Sequence, residues 1–327
     1  MNRFASIDVG TNTLRLLIAD VDAGGGYIPV YRDRAVTRLG GNFIEGKGID
    51  RVSASRTVDA LMGFLNGLAR FDVKDVKAVG TSVLRRAENR DEFIDEAFKK
   101  TGIKIEVISG EEEARLTLKG VLQVIGKEGK AIVIDIGGGS TEFILTDTGR
   151  EVGLYSVEMG VVSLTEKFLL SDPLSFNELS EMGKSIDHTF VSLLSSIKEG
   201  ATDLSLFSED KAILVGTAGT PTTLAAMELG LEVYEPEKVN GYSLTIDRLR
   251  DIYMTLSSLT LAERSKIPAI EKGREDVIVP GTAVILKAMK AFGFQEMVVS
   301  DSGLLEGALM DIVDEGTLPL PKRSAIG

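Results

Sequence analysis

The sequence predicts an α/β protein built as two lobes of similar design. Two observations carry this expectation. Residues 6–20 (SIDVGTNTLRLLIAD) and residues 133–147 (VIDIGGGSTEFILTD) repeat one pattern; the offset, from position 8 to position 135, is a constant 127, with Ile7/Ile134, Asp8/Asp135, Gly10/Gly137 and Asp20/Asp147 identical. After each copy, short apolar runs alternate with longer segments of helical period, as a chain of strands and helices requires. The 327 residues are enough for two domains of ordinary size. A repeat this long implies two lobes rather than a solenoid.

Each copy is an apolar run ending in Asp, a turn of Gly, Thr, Ser and Asn, and a second apolar run. The second runs, Leu14–Ala19 and Phe143–Thr146, are too short for a typical helix, so each copy reads as a β-hairpin. A dinucleotide-binding turn is excluded, because its glycines must open a helix and Glu142 stands where its last glycine belongs. No Gly-x-x-x-x-Gly-Lys-Ser/Thr phosphate loop is present. Further along, Val76–Gly80 predicts a strand and a helix starts near Val83. Ile103–Ile108 predicts a strand, followed by a helix from Glu111 to about Ile125 with the stripe Ala114, Leu118, Val121, Ile125. Ala212–Val215 predicts a strand, with Pro221 as first helical residue before Thr222–Leu229. Thr282–Phe292 predicts a helix, Met297–Ser300 a strand and Leu304–Val313 a closing helix. Asp172-Pro173, Ser195–Asp210 and Pro268–Arg274 read as loops, and Leu318–Gly327 as a frayed tail.

Composition narrows the function. Hydrophobic residues make up 43% and charged residues 26%, the profile of a globular chain. The net charge of −12 argues against a diffuse nucleic-acid surface, so no DNA partner is expected. No run approaches the roughly 18 apolar residues of a membrane span, and the N-terminus does not read as a signal peptide. The cytoplasm is the expected location, with no membrane partner. The absence of cysteine and the single His188 exclude the usual zinc and thiol chemistry, and a serine-hydrolase elbow (Gly-x-Ser-x-Gly) is missing.

Five segments share one design, a strand followed by a turn rich in Gly, Ser and Thr: Asp8–Thr13, Thr81–Arg85, Asp135–Thr141, Gly216–Thr220 and Asp301–Gly303. Glycines let backbone N–H groups approach a phosphate, and successive N–H groups form an anion cradle. Asp8 and Asp135 close the two repeat strands, as acids that hold Mg²⁺ through water do; the alternative is a local turn cap. Glu142 takes the place of Arg15 in the second copy, which suits Arg15 to phosphate and Glu142 to a metal or its waters. Glu111, Glu112 and Glu113 open a helix after Ser109-Gly110. They serve the helix dipole, and Ser109 with Glu112 fits a capping box. Glu113 also lies beside the apolar stripe, where a carboxylate facing the other lobe is placed to deprotonate a water. Arg85 and Arg86 follow Thr81-Ser82, and Arg264 and Arg274 flank a loop from which they are placed to reach a chain of phosphates.

These segments together resemble the exopolyphosphatase / guanosine pentaphosphate phosphohydrolase family. The resemblance runs through Ile7–Thr13, Gly80–Arg85, Ile108–Arg115, Asp135–Glu142, Gly216–Thr220, Val279–Gly281 and Asp301–Gly307 in order, over nearly the whole chain. It implies two ribonuclease-H-like (actin-like ATPase) lobes, residues 1–124 and 125–327, with the active site in the cleft between them. The helix at about 304–313 is expected to pack back on the first lobe. The family's catalytic glutamate lands on Glu113. Asp135 and Glu142 take the metal-site positions, beside Asp8 from the repeat, with Mg²⁺ as cofactor. Thr11, Asn12, Thr13, Arg15, Arg85, Gly138, Gly139, Ser140, Gly216, Thr217, Gly219 and Thr220 take the phosphate-binding positions.

The activity so implied is Mg²⁺-assisted hydrolysis of a terminal phosphoanhydride on polyphosphate or guanosine pentaphosphate, with lobe closure assembling the site. Longer members of the family carry a further helical region beyond this point, so a homodimer is the expected source of extended grip on a long chain. Two other readings stand beside it: a small-molecule kinase of the same superfamily, and a non-catalytic polyphosphate or alarmone sensor.

Overall fold

The computed structural model describes residues 2–22, 26–43, 46–73, 75–200 and 202–316. The chain opens on β1 (Asn2–Val9), β2 (Thr13–Val21) and β3 (Tyr27–Val36), then α1 (Arg51–Arg70), β4 (Asp75–Gly80), α2 (Ser82–Arg86), α3 (Arg90–Thr101), β5 (Ile105–Val107) and α4 (Gly110–Ile125). It continues with β6 (Lys130–Ile136), β7 (Thr141–Asp147), β8 (Arg150–Val157), α5 (Val161–Phe168), α6 (Phe176–Glu199), β9 (Ala212–Thr217), α7 (Gly219–Glu228) and α8 (Pro236–Val239). The remaining elements are β10 (Ser243–Thr245), α9 (Ile246–Ser258), α10 (Leu261–Arg264), α11 (Ile278–Phe292), β11 (Glu296–Ser300) and α12 (Leu304–Gly316).

The first sheet has the order β3-β2-β1-β4-β5, with β1 to β3 antiparallel and β4 and β5 joined in parallel. The second has the order β10-β11-β9-β6-β7-β8. Read from β8, it repeats the first sheet strand for strand, with β10 added at the edge. Two ribonuclease-H-like lobes of mixed α/β structure result, as expected.

Both repeat copies fold as hairpins in the same register. Asp8 faces Arg15 across β1 and β2, and Asp135 faces Glu142 across β6 and β7. Each turn is closed by one bond, Gly10 N–H to the Thr13 carbonyl at 3.1 Å and Gly137 N–H to the Ser140 carbonyl at 3.0 Å. A Cβ at either glycine would stand 2.9 or 3.0 Å from that carbonyl, so the turn demands glycine twice.

α4 lies between the lobes. Its Ala114, Leu118 and Val121 pack on Ala131, Val133, Ile144 and Val215 of the second sheet. Its other face carries Leu116, which meets Val79, Ile108 and the α12 residues Leu304 and Ala308. α12 returns to the first sheet and covers Leu17, Ala19 and Val21 with Leu305 and Leu309. Full burial of each such leucine contributes about 1.5–3 kcal/mol. This packing fixes the first turn of α4 at the seam.

Some boundaries differ from the sequence reading. α7 starts at Gly219 and α11 at Ile278, so Pro221 and Pro280 are each the third helical residue. The first-turn N–H groups have no intrahelical partner, so proline is tolerated there and does not mark the start. α6 runs on to Glu199, because Ile197 extends the buried stripe of Met182, Ile186, Phe190 and Leu193. The residues after 316 lie outside the described ones. Among the described residues no helix is long and apolar enough to cross a membrane.

Candidate active site

The two glycine turns meet across the seam. A Cβ on Gly138 would lie 3.0 Å from Thr11 Cβ and 3.1 Å from Asn12 N; one on Gly139 would lie 2.6 Å from Ser82 Oγ. The backbone of the second lobe's turn therefore rests on the first lobe's turn, an approach only glycine permits. Beside this contact opens a cleft of about 380 Å³. Thr11, Asn12, Thr13 and Arg15 line it from the first lobe, and Gly138, Gly139, Ser140 and Gly219 from the second. Thr11 Oγ1 and Asn12 Oδ1 are buried without a hydrogen-bond partner.

Glu113 reaches the same cleft from the first turn of α4 and is 8% exposed. Ser109 caps that helix, its Oγ accepting from Glu112 N–H at 3.0 Å. The Glu112 carboxylate pairs with Arg115 instead of returning to the cap, so half of the expected capping box forms. Glu113 is left to the cleft, where the Arg85 guanidinium donates to its carboxylate. Burial, and then the charge of Glu142, raise its pKa well above the ordinary carboxylate value, against the pull of Arg85. A carboxyl so raised is a competent proton acceptor near neutral pH.

Asp8 and Asp135 hold the ends of β1 and β6. Arg15 Nε and Nη2 both donate to Asp8 Oδ2, at 2.9 and 2.6 Å, while the buried Asp8 Oδ1 has no partner. Asp135 accepts from Thr117 Oγ1 at 3.0 Å, and burial raises its pKa. Glu142 accepts from Ser156 Oγ at 2.8 Å; burial and the charge of Asp135 push it up to about 7. A cation would favour the ionised form of these acids. Among the described residues no group of three or more His, Cys, Asp or Glu side chains is arranged to hold a metal directly. Mg²⁺ fits on different terms, since it keeps several waters and binds through one or two carboxylates. The unpartnered Asp8 Oδ1 and the raised Asp135, both in the cleft lining, are suited to that.

Several predicted phosphate positions lie elsewhere. Arg85 stands behind the cleft wall, touching Glu113, and so does Glu142, expected at the metal, whose carboxylate is taken by Ser156. Gly216 is a packing glycine: its Cβ would meet Met297 Sδ at 2.6 Å. Thr217 Oγ1 donates to the Ser302 carbonyl at 3.1 Å, and Thr220 is buried against Gly281. In this segment the cleft takes Gly219 and Ala218, the latter held at φ 70 and ψ −166, a conformation that is essentially glycine's own. Arg264 is fully buried, its Nη1 donating to the Glu275 carbonyl at 2.8 Å, and does not line the cleft.

Arg274 does line the cleft. Its guanidinium lies against Gly219, its Nε has no partner, and burial lowers its pKa to about 10. Sequence reasoning missed Arg32, Arg34 and Tyr234, which line the outer cleft. Arg34 pairs with Glu271 across the seam at 2.8 Å. The alternation Arg32-Asp33-Arg34 in a strand was the available signal, since period two puts both arginines on one face.

Comparison with known proteins fits this geometry. The model of the Ppx/GppA phosphatase family matches residues 17–315. Exopolyphosphatase 2 of Mycobacterium tuberculosis is 30% identical, over 95% of this chain and 99% of its own. A bifunctional 3-dehydroquinate synthase/phosphatase of Fusobacterium nucleatum is 32% identical over 95% of this chain, which spans only 46% of its length. A guanosine-5'-triphosphate,3'-diphosphate pyrophosphatase of Vibrio parahaemolyticus is 28% identical over 95% of this chain and 59% of its own. Among solved structures, an exopolyphosphatase from Cytophaga hutchinsonii superposes with a TM-score of 0.86 at 30% identity, covering 96% of this chain and 98% of that one.

Proposed function

This chain belongs to the Ppx/GppA phosphatase family, and from that premise we propose that it hydrolyses the terminal phosphoanhydride of inorganic polyphosphate or guanosine pentaphosphate, releasing orthophosphate. The observation that carries the reading is the convergence of Glu113 and the two glycine turns on one cleft. The terminal phosphoryl lies against the backbone of Gly138–Ser140 and the polar atoms of Thr11 and Asn12, whose unpartnered oxygens await a ligand or its water. Glu113 takes a proton from the attacking water as its oxygen bonds to phosphorus. The anhydride P–O bond breaks, and its electron pair leaves with the shortened chain. Catalysis is then positioning and preorganised electrostatics.

Asp8 and Asp135, which line the cleft, are the residues proposed to hold Mg²⁺, largely through water, while Glu142, behind the cleft wall, contributes through its charge. The bound ion would neutralise charge on the transferred phosphoryl. Arg85 steadies the ionised form of Glu113 from behind. The same proposal includes a cytoplasmic homodimer, whose assembly sedimentation equilibrium tests.

The experiment is phosphate release by the purified protein with Mg²⁺ from long polyphosphate, short polyphosphate, guanosine pentaphosphate and ATP. Release is expected from the first three, with the Glu113→Gln protein lower by on the order of 10²–10⁴. Turnover near wild type in that variant removes Glu113 from its role. No release from any substrate, with binding retained, points to the sensor reading.

A further inference from the structure

A second cavity of about 280 Å³ adjoins the cleft, and the two share Thr11, Ser82 and Gly139 in their walls. Gly139 packs against both of the others: a Cβ on it would stand 2.6 Å from Ser82 Oγ and 3.2 Å from Thr11 Oγ1. The partition between the cavities is thus formed, where they adjoin, by residues that are all small. It also straddles the seam, with Gly139 on one lobe and Thr11 and Ser82 on the other. Thr11 is 7% exposed and its Oγ1 has no hydrogen-bond partner. A hydroxyl donor is therefore presented at the partition, unengaged.

The outer part of the second cavity is cationic. Arg86, exposed and stacked 4.7 Å over the Phe43 ring, and Lys167, also exposed, stand on opposite lobes. The one acid in its wall, Glu166, is engaged by the Asn42 backbone N–H at 3.0 Å. A cationic mouth on a chain of net charge −12 is a local feature that suits a small anion.

We propose that this second cavity is the exit route for the orthophosphate product. The inference rests on the hydrolase reading above. Cleavage at a chain end leaves the shortened substrate on the cleft side of the reacting phosphorus, while the freed phosphate lies at the cleft floor beside Thr11 and Gly139. A product trapped between floor and remaining chain leaves without dissociation of that chain only through the partition. Because the partition spans the seam, a small separation of the two turns opens it.

The test uses the full-length protein, tripolyphosphate and long polyphosphate. Total phosphate is read by acid quench and free phosphate by a fluorescent phosphate sensor. Ser163→Phe fills the second cavity from α5, and the surface variant Lys167→Glu reverses charge at its mouth without burying anything new. Neither residue lines the cleft. The expected result is an unchanged quenched rate in the first turnover, with a lag before free phosphate and a lower steady-state rate in both variants. Quenched and free phosphate that rise together in both variants, as in wild type, overturn the route while leaving the hydrolase intact. Absence of quenched phosphate in the wild-type protein overturns the hydrolase reading itself, and the route with it.

Discussion

The Arg85 guanidinium donates to the Glu113 carboxylate from behind the cleft wall, joining α2 to the first turn of α4. Two forces oppose each other at this carboxylate. Burial and Glu142 favour its protonated form, and Arg85 favours the ionised one. The base must be ionised to act, so activity is present above its raised pKa and lost as pH falls through it. The acid limb of the rate profile is therefore expected well above the ordinary carboxylate range. Arg85→Met removes the force favouring ionisation, and its limb should move to higher pH. A limb that stays in place in this variant separates Arg85 from the titration of Glu113.

Arg274 presents a cation to the cleft with its Nε unpartnered and its pKa lowered to about 10 by burial. An anionic substrate supplies the missing partner. A hydrogen bond to a charged group contributes about 1.5–3 kcal/mol, so Arg274→Met should raise KM by roughly 10–100-fold. The guanidinium is disfavoured in the empty fold, so the same variant should melt at a higher temperature without substrate. An unchanged KM assigns Arg274 to packing against Gly219 alone.

How much of this was legible in the sequence depended on range. The hairpins could be read because a short apolar run, an entering Asp and a glycine turn are local signals, and the repeat fixed Asp8/Arg15 and Asp135/Glu142 in equivalent registers. Gly216 and Thr217 carry the composition of a phosphate turn, yet their environment is set by Met297 and Ser302, some eighty residues away. Arg264 and Arg274 flank the same loop. Whether such a side chain turns into the core or into the cleft is decided by contacts that no local pattern encodes. Arg34 differs: the alternation Arg32-Asp33-Arg34 was a local signal for its face, and only its pairing with Glu271 on the other lobe was not local.

Asp311 of α12 accepts from Lys77 Nζ at 2.6 Å and from Arg115 Nη2 and Lys119 Nζ at 3.1 Å each, tying α12 to β4 and α4. It is 6% exposed, and although burial opposes ionisation, these bonds lower its pKa to about 2. The sign follows from linkage. The folded value lies below the unfolded one, so the stabilisation is present above about pH 4 and is lost as pH falls toward 2. Asp311→Asn should lower stability at pH 7 by on the order of 2 kcal/mol and flatten its dependence between pH 5 and 2. Urea melts across that range, with wild type and variant giving parallel curves, would sink the assignment.

The crossing of α4 and α12 places Glu113 at the seam, and it depends on two glycines. A Cβ on Gly120 would stand 2.0 Å from the Gly303 carbonyl oxygen, and one on Gly307 would stand 1.8 Å from that of Leu116. Both glycines have ordinary negative φ, so alanine is favoured by local backbone preference by about 1 kcal/mol. Any loss on substitution therefore reports the crossing. Gly120→Ala and Gly307→Ala should each destabilise by about 1–3 kcal/mol through overpacking and lower kcat, because α4 carries the carboxylate. Gly63 and Gly183, in α1 and α6, have nothing within 4 Å of a Cβ. Alanine there should stabilise by about 0.4–1 kcal/mol with kcat unchanged. Equal responses at the four positions would show that helix propensity, and not the close approach of α12, governs the placement of α4.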